Sequence, residues 1–106
     1  MTRLFTIASL ALAVGCAAET EQVTYYEDVK PIVDAKCATC HLDGGIAPFP
    51  LMTFEDVFET RALVANSILS GSMPPWPPDN ECNDYHYDRS LTDEEATIVL
   101  DWAEGA

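Results

Sequence analysis

Apolar residues recur at steps of three and four in three stretches of the chain, each opened by a threonine with an acidic residue three positions on. In the first, Tyr26, Val29, Ile32 and Val33 share a face leading to Cys37, behind Thr24 and Glu27 in the Thr-x-x-Glu spacing of a capping box. Pro31 interrupts this run, so the pattern predicts a kink or a late helix start there. The second opens at Thr53, with Asp56 suited to a helix N-terminus and a stripe of Phe54, Val57, Phe58, Ala62, Ala65 and Ile68. It is expected to stop before Gly71, with a break near Thr60 as a further option. The third has the clearest start: Thr92 and Glu95 form a capping box, Leu91 and Ala96 can staple it, and Asp93, Glu94 and Glu95 load the positive end of the dipole. Val99 and Trp102 then face inward with Ala96 or Ala103, and Trp102 is expected to pack on the first helix.

Between these helices lie Gly44 to Pro50 and Met73 to Asp88, rich in Gly, Pro, Asn and Asp and lacking the alternation of strands. The expectation is a small all-α domain of three or four helices with long, functional loops.

The opening residues follow a different pattern. Arg3 precedes an apolar run from Leu4 to Val14, broken only by Thr6 and Ser9 and too short to span a bilayer as a mature helix. It ends in Ala13-Val14-Gly15-Cys16, which resembles the lipobox of bacterial lipoproteins, although Leu12 lies four rather than three residues before the cysteine. The expected division is a signal peptide over 1–15, a tether over 16–23 starting at lipidated Cys16, and a folded domain over 24–106. The alternative is ordinary cleavage near Ala17-Ala18, and both routes export the domain. By analogy with bacterial lipoprotein sorting, Ala17 rather than Asp after Cys16 favours the periplasmic face of the outer membrane.

Charge narrows the function further. The chain has 5 Lys and Arg against 18 Asp and Glu, and loss of Arg3 with the leader takes the net charge from −13 to −14. Nucleic-acid binding is excluded as a reading, because phosphate attraction needs basic clusters. Acidity serves solubility or steers the domain toward a redox partner with a basic docking surface.

The chemistry concentrates in Cys37-Ala38-Thr39-Cys40-His41, two thiols and an imidazole within five residues. C-x-x-C-H is the attachment sequence of c-type haem, in which the thiols add across two vinyl groups and the adjacent histidine ligates the iron. A second ligand is available in Gly71-Ser72-Met73-Pro74, 32 residues beyond His41, where a soft thioether would favour the reduced iron. The prolines after Met73 stiffen its segment, whereas Met52 lies too close to His41 along the chain. A rival reading joins Cys37 and Cys40 to Cys82 and His86 as a structural zinc site, leaving His41 and the methionine loop without a role. A dithiol oxidoreductase lacks its βαβ context. Cys82 has no partner in the haem reading, and His86 reads as a loop residue.

CATCH after a helix, a Gly/Pro loop, GSMPP and a final LTDEEATIVLDWAEG resemble a small class I c-type cytochrome over nearly the whole of 24–106. More closely, YYEDVKPIVDAKCATCH with IAPFPLMTFED and MPPWPP resembles the cytochrome domain that precedes copper, ascorbate-dependent monooxygenase-like domains in exported bacterial proteins. That second domain is absent from these 106 residues, which fit a freestanding lipoprotein or a truncated relative. The resemblance implies one covalent haem c on Cys37 and Cys40, His41 as proximal ligand, Met73 as distal ligand, and a carbonyl from Pro48 or a neighbour on the free ring nitrogen of His41. Trp76 and Arg89 are candidates for the haem propionates; the alternatives are an aromatic wall for Trp76 and neutralisation of Asp88 or Asp93 for Arg89. The function expected is one-electron transfer rather than enzymatic turnover, with peroxide reduction as the enzymatic alternative.

Overall fold

The two longer helices start where a threonine side chain can satisfy a free backbone N–H group of the first turn. The structure, a computed structural model, describes residues 22–106, so the leader, Cys16 and nearly all of the tether lie outside it. Among the described residues there are helices and no strand, in agreement with an all-α domain.

The first helical stretch differs from its sequence pattern in one respect. A wide π turn over Tyr25–Val29 leads into α1, Lys30–Lys36. In the π turn Val29 N–H bonds to Thr24 carbonyl across five residues, which brings Asp28 rather than Glu27 under the N-terminus. Asp28 Oδ2 accepts from Thr24 N at 2.6 Å and from its hydroxyl at 3.0 Å, so the expected Thr24/Glu27 box is replaced by a pair one residue longer. The wider turn also rotates the face: Tyr25 is buried, while Tyr26 is 67% exposed. Pro31 falls in the first turn of α1, where its missing N–H leaves no vacancy in the ladder.

The second helix, α2, spans Phe54–Leu69 behind a complete Thr53/Asp56 capping box. It runs unbroken past Thr60, whose hydroxyl donates to the Asp56 carbonyl at 2.7 Å. Its inner face holds Phe54, Val57, Phe58 and Ile68 as expected and adds Val64, with Ala62 exposed. The third helix, α3, spans Asp93–Gly105 behind the Thr92/Glu95 box.

The π turn and α2 both pack on α3, and aromatic rings fill the junction. Trp102 lies 5.4 Å from Tyr25 between ring centroids, with Phe54 and Phe58 within 6.5 Å of it. Beside this cluster Val29, Ile32, Val33, Leu51, Val57 and Val99 form the buried aliphatic part. Five of those six, all but Val29, also face a cavity, so much of the core surrounds open space rather than packing on itself. No helix among the described residues is long and apolar enough to cross a membrane.

Candidate functional site

The cavity is about 330 Å³ and its wall is overwhelmingly apolar. Cys37, Cys40, His41 and Met73 all line it, and the only charged side chains in its wall are Lys36 and Arg89. Residues separated by more than 50 positions in sequence therefore meet in one site.

Cys37 stands at the end of α1, where the chain continues as a tight turn. The Cys37 carbonyl accepts from Cys40 N at 3.1 Å and from His41 N at 3.0 Å, which turns both thiol-bearing residues and the imidazole toward the cavity. Burial in apolar surroundings pushes the Cys37 thiol up to about 11.

His41 is buried, and its Nδ1 lies 2.9 Å from the backbone carbonyl of Phe49. A carbonyl can only accept, so Nδ1 carries the proton and Nε2 keeps its lone pair free for a ligand. The expectation placed this carbonyl at Pro48 or a neighbour, and it belongs to the neighbour Phe49, while Pro48 lines the cavity. The choice of Phe49 follows from how the loop returns. Leu51 N bonds to His41 carbonyl at 2.8 Å and Ala47 N to Cys40 carbonyl at 3.2 Å, which lays 47–51 alongside the turn and aims the Phe49 carbonyl at the ring. Gly45 permits this approach, because a Cβ there would come within 2.5 Å of the Cys40 carbonyl oxygen.

Met73 follows α2 directly. The Ser67 carbonyl accepts from Ser72 N at 3.0 Å and Met73 N at 3.2 Å, and Gly71 takes the positive φ of 71° that reverses the chain. Met73 is thus delivered to the cavity wall, where its side chain remains 41% exposed.

The two propionate candidates separate. Arg89 lines the cavity, and its Nε donates to Thr39 Oγ1 at 3.1 Å, within the C-x-x-C-H turn. Trp76 does not line it: Nε1 donates to Asn80 Oδ1 at 3.0 Å, and the ring meets Tyr85 edge-on. Asn80 organises that loop, donating also to Asp88 Oδ2 at 2.8 Å and Ser90 Oγ at 2.7 Å, so the indole N–H is used within the loop. Cys82 and His86 are exposed on the same loop and away from the cavity. Cys82 Sγ lies 3.9 Å from Asp79 Oδ2, and no three His, Cys, Asp or Glu side chains among the described residues converge as a metal site.

Sequence reasoning passed over Lys36, Thr39 and Ser67. Lys36 and Thr39 had one signal, their place against the cysteines; a carbonyl such as that of Ser67 has none, since every residue carries one. No family model matches the chain, and neither a curated protein nor a solved structure matches it.

Proposed function

We propose that the cavity holds one haem c and that the protein is a class I-like monohaem cytochrome that passes single electrons on the periplasmic side of a bacterial membrane, anchored through lipidated Cys16. The observation that carries this reading is the meeting of both C-x-x-C-H thiols, His41 with a free Nε2, and Met73 in one apolar cavity. The donor set suits the group: two thiols for covalent attachment, a nitrogen and a thioether for the two axial positions, and apolar walls for the macrocycle. Such a group supplies a one-electron iron couple whose potential rises with thioether ligation and burial.

The chain's residues have distinct roles in this reading. Cys37 and Cys40 would hold the group covalently, each thiol adding its S–H across a vinyl double bond, an addition that needs no oxidant. His41 is held in one tautomer and one orientation by the Phe49 carbonyl, which also raises the donor strength of Nε2. Met73, in the cavity wall, would supply a thioether ligand to the iron, which would suit electron transfer and disfavour peroxide turnover. The net charge of −13 favours a redox partner with a basic docking surface.

The test is the full chain produced in a host that attaches haem, examined by a denaturing-gel haem stain and by reduced and oxidised visible spectra. A stained band with a sulfur-to-iron charge-transfer band in the oxidised form is the expected result. A colourless protein containing zinc would overturn the reading.

A further inference from the structure

Among the described residues, every serine and threonine hydroxyl except that of Ser67 makes a hydrogen bond within the chain. Thr60 and Thr97, the other hydroxyl residues inside α2 and α3, donate to the carbonyls four residues back at 2.7 and 2.8 Å. Ser67 is also the one serine or threonine in the wall of the apolar cavity. It stands there beside Leu63, Val64 and Ile68, a half-buried hydroxyl on an otherwise apolar face of α2. A hydroxyl turned to apolar side chains gives up water and gains nothing in return unless a partner comes to it.

The backbone brings Met73 to this position. The Ser67 carbonyl accepts from Met73 N at 3.2 Å, from Ser72 N at 3.0 Å, and from the hydroxyls of Ser70 and Ser72, each at 3.2 Å. Ser67 is thus the hub on which the turn into Met73 is built, and both side chains line the same cavity. The Met73 side chain is 41% exposed, so it has room to turn its sulfur inward past Ser67.

We propose that Ser67 is a positioning residue for Met73. With the thioether on the iron, Ser67 Oγ donates its proton to the second sulfur lone pair, fixing one orientation of the sulfur and drawing electron density from it. This rests on the haem reading and adds a tuning group to it. A donor on the ligating sulfur favours reduced iron, so the hydroxyl raises the midpoint potential.

The test compares the haem-loaded full chain with its Ser67→Ala, Ser67→Thr and Ser70→Ala variants, each checked by haem stain before spectroscopy. Ser67→Ala keeps the carbonyl hub and places a favoured residue in the helix, so only the hydroxyl is lost. Its ratio of reduced to oxidised protein at a fixed potential should fall about threefold, on the order of 30 mV at about 59 mV per tenfold for one electron. The sulfur-to-iron band should move with it, and Ser67→Thr should return both toward the wild type. Ser70→Ala removes a bond of the same turn outside the cavity wall and should leave the band in place. Potential and band unchanged in stained Ser67→Ala, or displaced equally in Ser70→Ala, would overturn the role of Ser67 and leave the haem reading standing. A stained wild type without the band would remove Met73 as a ligand and this inference with it, whereas a wild type that takes no stain would remove the haem reading itself.

Discussion

His41 Nδ1 meets the carbonyl of Phe49 at 2.9 Å, eight residues along the chain, and this bond fixes which nitrogen faces the cavity. Ring orientation is therefore set by backbone, through a loop that must return close to the C-x-x-C-H turn.

The return depends on Gly45. A Cβ there would meet Cys40 carbonyl oxygen at 2.5 Å and Leu42 carbonyl oxygen at 2.9 Å, both backbone atoms that cannot swing aside. Gly45→Ala should cost about 1–3 kcal/mol by overpacking, read as a lower midpoint in urea unfolding. Haem attachment should fall with it, because the Phe49 carbonyl moves off His41. Gly44→Ala is the matched control: no atom lies near its Cβ, but its φ of 72° makes the change mildly unfavourable for backbone reasons alone. Equal stain from wild type and Gly45→Ala would show that the loop's approach does not govern the site.

Met73→Ala removes the thioether from the cavity wall. In the haem-loaded protein it should lower the midpoint potential, abolish the sulfur-to-iron band, and let carbon monoxide bind the reduced form. Peroxide turnover, expected to be negligible in the wild type, should appear. If the spectrum were unchanged, another side chain would be the sixth ligand.

Cys82→Ser and His86→Ala separate the haem reading from the zinc one. Both residues are exposed and outside the cavity, so the two changes should leave haem stain, spectrum and urea midpoint within error of the wild type. Loss of structure together with loss of bound zinc in either variant would favour Cys37, Cys40, Cys82 and His86 as a metal set.

The second and third helices were legible because their starts have a local chemical cause. Thr53/Asp56 and Thr92/Glu95 are capping boxes in the sequence and in the fold, and Trp102 packs on Tyr25 as the final helix's spacing implied. Thr24 was misread by one residue because a π turn leaves no periodic signature: the same residues fit an α turn with Tyr26 inward. Cys37, Cys40, His41 and Met73, singled out in the sequence because their side chains carry the chemistry, line one cavity. Trp76 lies outside it, because its N–H partner, Asn80, is fixed by loop geometry that the sequence does not display.

The partly buried Cys37 thiol gives the unloaded chain a pH dependence that the proposed haem attachment would remove. Burial raises its pKa from 9.0 in the open chain to about 11 in the folded state. Below pH 9 both states keep the proton and stability is unaffected. Between pH 9 and 11 the unfolded chain releases it while the folded chain retains it, so unfolding is increasingly favoured as pH rises. The full loss amounts to at most about 2–3 kcal/mol, from 1.36 kcal/mol per pH unit of displacement. Urea midpoints of the unloaded protein under reducing conditions should therefore decline across this window, and Cys37→Ala should flatten the decline. Once Cys37 is a thioether it has no proton to lose, so the loaded protein should show no such decline from this position. An unloaded wild type and Cys37→Ala with parallel profiles from pH 8 to pH 11 would mean that the thiol is open to solvent and that α1 does not close over the cavity wall.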